Sequence, residues 1–271
     1  MIVIMNILIT NDDGIAAEGL AALAAAMSLY AEVTVVAPKD HQSCCGHGVT
    51  TTRPLAFGKS REGWYWVDGL PADCVRVAIL HLGLKPDWVL SGINHGGNLG
   101  VDIWMSGTVA AAREASILGL QSMAISQYRR QDVEVPWELS AQRAVRAWHH
   151  LSSLSLQPQE LWNINLPAVE AHVDESEWLR SHTTEVESKP HNQAAIFHKP
   201  LPTNPALVDC NPENQPLSFH LEQSDEGLVY RSNYHLRPRL PDSDVAHCFA
   251  GNITFSRLST SHAFKNGRMQ A

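Results

Sequence analysis

In the stretch NILITNDDGI, Asn6 to Ile15, an apolar run ends in two adjacent carboxylates, Asp12 and Asp13, followed by Gly14. Like charges side by side repel, and burial would raise the pKa of one of them unless a cation neutralises the pair. A regular strand sends neighbouring side chains to opposite faces, but a strand-to-turn junction lets them converge. Asp12 and Asp13 can then share one hard divalent ion, Mg2+ or Mn2+, with Gly14 relaxing the backbone beside them. Asn-Asp-Asp-Gly also suits an Asx turn or a helix N-cap, so the pair alone leaves both readings open.

Two further oxygen donors stand at comparable places, Ser43 in KDHQSCC and Asn94 in SGIN. Either can be a turn former; together with the aspartates they make the oxygen-rich set that suits a hard metal with room for water and substrate. After Asn94 comes the polar loop HGGNLG with Gly96, Gly97, Asn98 and Gly100, and then Ser106, Gly107 and Thr108 open a helical pattern. The free N–H groups of such a helix start can receive a phosphate, although Ser and Thr there are also ordinary caps. His95, next to Asn94, is open to two readings, an exposed loop histidine or a proton donor or substrate contact, and Trp104 lies between the glycine loop and the helix start. His41, Cys44, Cys45 and His47 offer soft donors, but neighbouring cysteines rarely reach one tetrahedral ion together.

These residues need strands and helices to hold them. Ile2 to Ile9 is an apolar, β-branched run expected of a parallel strand buried on both faces, Ala16 to Tyr30 reads as a helix, and Ala31 to Pro38 as a second strand. That βαβ unit places ligands at the carboxyl ends of its strands. Strands follow at Asp87 to Asn94, Ser122 to Ser126 and Leu161 to Pro167, with helices from Ser106 and from about Trp137 to Leu154. The expected fold is α/β, a Rossmann-like, doubly wound and mostly parallel sheet over residues 1–167. Residues 168–258 form a hairpin and arm region with a closing strand against the core or a partner subunit, and 259–271 a tail. Ala168 to Pro241, rich in His, Pro, Asn and Ser, has weak periodicity.

Composition removes several classes of function. The formal charge is −8 and no block of Lys or Arg stands out, which argues against a binder of nucleic acid polymers. Five cysteines, odd in number and without CxxC spacing, fit a reducing cytoplasm. MIVIMN is too short for a membrane span and lacks the basic start of a signal peptide, so no membrane partner is expected.

The segments ILITNDDGIAAEGL, VVAP with Ser43, SGINHGGNLGVDIWMSGTVAAAREASILGL and WNINLP stand in the order and spacing of the survival protein E (SurE) nucleotidase family, which the chain resembles over residues 6 to about 167. LPDSDVAHCFAGNITFSRLS, Leu240 to Ser259, is similar to that family's closing segment. The resemblance implies a Rossmann-like core, one divalent cation per subunit, and hydrolysis of nucleoside 5′- and 3′-monophosphates in the cytoplasm. It also implies a homodimer or dimer of dimers built partly by exchanged C-terminal segments. Carried over by position, metal ligands fall on Asp12, Asp13, Ser43 and Asn94, with Asn98, Ser106, Gly107 and Thr108 around the phosphate. The chain departs from the family at Cys44, where glycine usually follows the ligand serine, at Lys39, where an acidic residue often follows the proline, and at Gln121, where proline is common.

The expected reaction is metal-assisted attack of water on a phosphomonoester, with Asp12 and Asp13 as the catalytic carboxylates and Asp12 as base for the water; a covalent aspartyl-phosphate is the chemical alternative. Two rivals compete. A phospho-receiver module also carries an acidic pair after its first strand, but needs an acceptor Asp and a Lys at later strand ends, where this chain offers Asn94 or Ser126. An inactive, ligand-binding relative is the other, given the Cys44 loop.

Overall fold

The computed structural model describes residues 5–129, 134–168, 205–213, 219–224, 227–232 and 237–260. Strands β1 (Asn6–Thr10), β2 (Glu32–Pro38), β5 (Trp88–Asn94), β6 (Gln121–Gln127) and β7 (Glu160–Leu166) lie where the apolar runs predict them, within one or two residues at most ends. The run before Met5 lies outside the described residues. Helices α1 (Glu18–Met27), α3 (Gly107–Ile117) and α4 (Trp137–Leu151) also match, each shorter than its pattern by up to three residues at an end.

Additions to the sequence reading are β3 (Phe57–Arg61), β4 (Trp64–Val67) and the short helix α2 (Pro71–Arg76). A four-residue strand with three partly buried aromatic or branched positions carries too little periodicity to register. The later part of the chain supplies β8 (Leu207–Asp209), the antiparallel hairpin β9 (Phe219–Ser224) and β10 (Gly227–Ser232), helix α5 (Asp244–Phe249) and β11 (Ile253–Ser259). Most of the expected arm, and residues 261–271 of the tail, lie outside the described residues.

The nine strands outside the hairpin form one sheet in the order β3-β4-β2-β1-β5-β6-β7-β11-β8. From β4 to β7 all neighbours are parallel; β3 and β11 enter antiparallel at the two sides. The chain leaves β1 toward β2 and later returns to pair β5 on the other side of β1, so the order reverses between β1 and β5. In open α/β sheets ligands bind at such a point, outside the carboxyl ends of the strands.

Both faces of the sheet are covered. Ile7, Ile9, Val35 and Leu90 point under α1 and α4, whereas Leu8, Val36 and Val89 point under α2 and α3. Burying each such side chain contributes roughly 1.5–3 kcal/mol, which is why the strands are continuously apolar. A smaller cluster joins Leu99, Tyr128, Val245 and Cys248, with the Tyr128 and Phe249 rings stacked 4.3 Å apart. It docks the C-terminal helix against the loop between β5 and α3. There Asp244 accepts from Gly100 N at 2.8 Å and Glu213 N at 2.8 Å, and the buried Arg237 donates to Asp102 Oδ2 at 2.5 Å and to Leu99 O at 2.9 Å. Among the described residues no helix is long and apolar enough to cross a membrane.

Candidate active site

The carboxyl ends of β1, β2 and β5 and the N-terminus of α3 meet at the reversal point. After β1, Asn11 bends the chain: Gly14 N donates to its Oδ1 at 3.2 Å and its Nδ2 donates to Gly14 O at 3.1 Å. Gly14 has φ +100°, and a Cβ there would lie 3.3 Å from the Asp40 carbonyl carbon. The Asx-type turn therefore belongs to Asn11, and the cap of α1 to Ala17, which makes no side-chain cap bond. Asp12 and Asp13 are left with neither structural task.

Asp12 is 4% exposed and accepts a 2.6 Å bond from Thr108 Oγ1. Burial pushes its carboxyl up to about 6; the Thr108 hydroxyl opposes that shift and the Asp13 charge adds to it. Asp13 accepts from His95 N at 3.0 Å and lies 3.5 Å from His41 Nδ1. His41 Nε2 is in turn 2.6 Å from Ser43 Oγ, and Gln42 N donates to Asp12 O at 2.7 Å, so the loop after β2 is sewn to the end of β1. Ser43 is exposed, and Asn94, half-buried, donates to Gly96 O at 2.8 Å.

Helix α3 approaches this pair end-on. Ser106 is its N-cap and accepts from Val109 N at 3.1 Å. Gly107 is required by proximity: a Cβ there would stand 2.8 Å from Asp12 Cβ and 2.8 Å from Cys45 Sγ. Asn98 is buried and tied down on every side. Its N–H donates to Asn165 Oδ1 at 2.8 Å, its carbonyl accepts from Asn163 Nδ2 and Asn165 Nδ2 at 3.0 Å each, and its Nδ2 donates to Ser126 Oγ at 2.7 Å and faces Thr108 Oγ1 at 3.4 Å. One hydrogen-bonded path thus runs from Asn165 through Asn98 and Thr108 to Asp12. Asn163, Asn165 and Ser126 were not singled out as functional from sequence; two amides spaced by two on a buried strand were the available signal, since alternation puts them on one face.

The altered loop is held from both ends. His47 Nε2 lies 2.8 Å from Glu114 Oε2, whose other oxygen accepts from Arg76 Nε at 2.6 Å. Burial pushes the Glu114 carboxyl up, but the hydrogen bonds from His47 and Arg76 outweigh it and hold the group below the usual range. Asp73 accepts from Thr50 N and Oγ1 at 3.0 and 2.7 Å. Cys44 sits at φ +56°, the left-handed region that glycine occupies without penalty. Cys44→Gly is expected to stabilise the protein by roughly 0.5–1 kcal/mol, the relieved strain being partly offset by added unfolded-state entropy. Urea denaturation measures it, and an unchanged or lower midpoint would contradict a strained Cys44.

The soft-metal arrangement does not form. His47 is engaged with Glu114, and among the described residues no three His, Cys, Asp or Glu side chains converge on one point. Burial, followed by the Asp12 charge, pushes the Cys45 thiol up to about 11, which keeps it protonated. A hard cation fits better. Two carboxylates, a hydroxyl and a carboxamide stand at one mouth, and among the described residues no Lys or Arg forms an ion pair with either aspartate. His95 is held below its ordinary pKa by partial burial and then by Arg129, so its ring is neutral near pH 7. The receiver rival loses its acceptor: β5 ends in Asn94, and β7 ends in Leu166 and Pro167 where a Lys would be needed.

Comparison with known proteins points one way. The sequence profile of the family described as "Survival protein SurE" matches residues 7–189. A relative from Nostoc sp. is 41% identical over 254 residues, 94% of this chain and 99% of its own length. A protein of Geotalea uraniireducens named 5′-nucleotidase SurE is 38% identical over 240 residues, 86% of this chain and 92% of that one. Another of that name, from Deinococcus radiodurans, is 46% identical over 170 residues, 60% and 63% of the two chains. The crystal structure of the SurE protein from Aquifex aeolicus superposes with a TM-score of 0.74 at 26% identity, covering 97% of this chain and 95% of that one.

Proposed function

The chain belongs to the Survival protein SurE family, and on that premise we propose that it is a divalent-metal-dependent nucleotidase, hydrolysing nucleoside 5′- and 3′-monophosphates to nucleoside and phosphate. The observation that carries the reading is the end-on approach of α3 to the Asp12–Asp13 pair, which sets anion-binding N–H groups beside uncompensated carboxylates. A divalent cation held by Asp12, Asp13, Ser43 and Asn94 supplies, when bound, Lewis acidity toward a phosphoryl oxygen and acidity to the attacking water.

The chain's own groups do the rest. The N–H groups of Gly107 and Thr108 face the equatorial oxygens, where charge grows as the ester bond breaks. Ser106 keeps its oxygen on Val109 N and so fixes the direction of the helix start. Asn98 holds Thr108 in register, and Thr108 in turn orients Asp12 through the 2.6 Å bond. Asp12, held in place by Thr108, takes the proton released by water.

A homodimer or dimer of dimers belongs to the same reading. Leu221, Leu228 and Tyr230 of the β9–β10 hairpin are exposed apolar side chains of the kind an interface covers. Five free thiols support a reducing, cytoplasmic setting.

The test is phosphate release from nucleoside 5′- and 3′-monophosphates after removal of metal with EDTA and its restoration as Mn2+ or Mg2+. Release is expected only with metal. Because Asp12 titrates near 6, a proton competes with the cation below that pH; the half-saturating metal concentration should rise about tenfold per pH unit below 6 and level off above it. Equal release in EDTA, or none from any of these esters, would sink the reading.

A further inference from the structure

Beside the reaction site stands an aromatic pair that the chemistry above does not use. The His95 and Trp137 rings lie 5.5 Å apart between centroids at an interplanar angle of 49°. His95 is attached to the site directly, since its N–H bonds to Asp13 Oδ2. Its side chain is exposed, while Trp137 is half-buried and fixed on two sides. The indole Nε1–H donates to Glu18 Oε2 at 2.9 Å, and the ring lies over Gly19, where a Cβ would stand 2.7 Å from Trp137 Cζ3. The first turn of α1 thus fixes the indole of α4 in one orientation at the carboxyl end of β5.

We infer that His95 and Trp137 form the platform on which the base of the nucleotide stacks, and so select nucleotides over other phosphomonoesters. The inference rests on the nucleotidase reading and deepens it. Three properties carry it. His95 bonds to Asp13 whereas Thr108 at the start of α3 bonds to Asp12, so the rings and the phosphate cradle attach to different members of the Asp pair. The tryptophan is immobilised before any ligand arrives, so little conformational entropy is lost on stacking. An imidazole ring 5.5 Å from an indole offers flat area to any base, which predicts tolerance among bases rather than choice of one.

Trp104 is the other aromatic near the loop. It is 71% exposed, but its ring faces the Arg113 guanidinium at 5.8 Å. The same guanidinium donates to Ile103 O at 3.3 Å, so Trp104 is already engaged with a cation of the chain itself.

The experiment compares AMP with ribose 5-phosphate, which has the same phosphate and sugar and no base. Turnover with Mn2+ and equilibrium binding in EDTA are both measured for the wild type, His95→Ala, Trp137→Leu and Trp137→Phe. The wild type should prefer AMP, and the ratio of kcat/KM for AMP over ribose 5-phosphate should fall about tenfold in His95→Ala and Trp137→Leu, through KM. Trp137→Phe, which keeps a ring, should retain most of the preference and guards against a Leu variant that fails to fold. An equal fall for both esters would make His95 and Trp137 parts of the chemistry or the scaffold and overturn the platform. So would a wild type indifferent to the base. Preferential binding of AMP without turnover of either ester would retain the platform and remove the nucleotidase.

Discussion

Replacing Asp12 by asparagine should lower phosphate release by about three orders of magnitude and, in the same protein, raise the stability of the metal-free fold. The two effects have one cause. Asp12 is buried beside Asp13, and its pKa rises from 3.8 to about 6 on folding. Between those values the folded state holds a proton that the unfolded state has lost, so metal-free stability falls as pH rises from about 4 to 6 and is flat above. The full difference is roughly 3 kcal/mol at neutral pH, an order-of-magnitude figure. Asparagine keeps the shape and can still accept from the Thr108 hydroxyl, but carries no charge to desolvate. Thermal melts in EDTA at pH 4.5 and pH 7.5 should show the wild type losing stability across that interval and the variant losing less. Activity retained within tenfold would remove Asp12 from the chemistry. A variant less stable than the wild type at pH 7.5 would show that the ionised pair is compensated within the protein.

Asn165→Leu should unsettle the site without altering any proposed metal ligand. The substitution removes both the acceptor of Asn98 N–H and one of two donors to Asn98 O. Leaving a buried backbone N–H without a partner costs about 1–3 kcal/mol. The loop must move to find water, and a shift of about 1 Å at Thr108 and Asp12 is enough to cost on the order of a hundredfold in kcat. Asn163→Leu is the internal control. Asn163 donates only to Asn98 O, which keeps its bond from Asn165, and its own Oδ1 is already without a partner among the described residues. Its loss should reduce stability by at most about 1 kcal/mol and kcat by no more than severalfold. Urea denaturation and steady-state kinetics on the two variants decide it. Equal effects would mean that the loop is held by something other than Asn165.

The parallel core was legible because each strand is buried on both faces, which leaves apolar runs such as ILI and VVA. Asp12, Asp13 and Asn94 were singled out because they stand where those runs end, and Ser43 because it lies in the loop after the second run, the edge at which a doubly wound sheet collects its ligands. β3 and β4 were not found, since short strands near a sheet's side lack a repeated pattern. The tether from Asn165 to Asn98 spans 67 residues, and no local rule connects an amide on β7 with a loop after β5. Cys44 shows a third kind of limit: the sequence marks an unusual residue, but only the backbone shows that it occupies φ +56°. The Asx motif was visible too, though its owner proved to be Asn11 and not either aspartate.

The bonds from Arg237 to Asp102 and from Asp244 to Gly100 join residues 135 and 144 positions apart. During synthesis the sheet from β1 to β7 can assemble as it emerges, because none of these strands depends for its pairing within that part of the sheet on a segment made after β7. The loop from Asn98 to Asp102 cannot reach its final shape until Arg237 and Asp244 have been made. At translation rates of roughly 5–20 residues per second, that interval is about 7–27 s for the 135-residue span. Each nascent chain therefore passes a period in which its carboxylate pair exists but the loop beside it is unfinished, and on the proposed reading such a chain is not yet able to act.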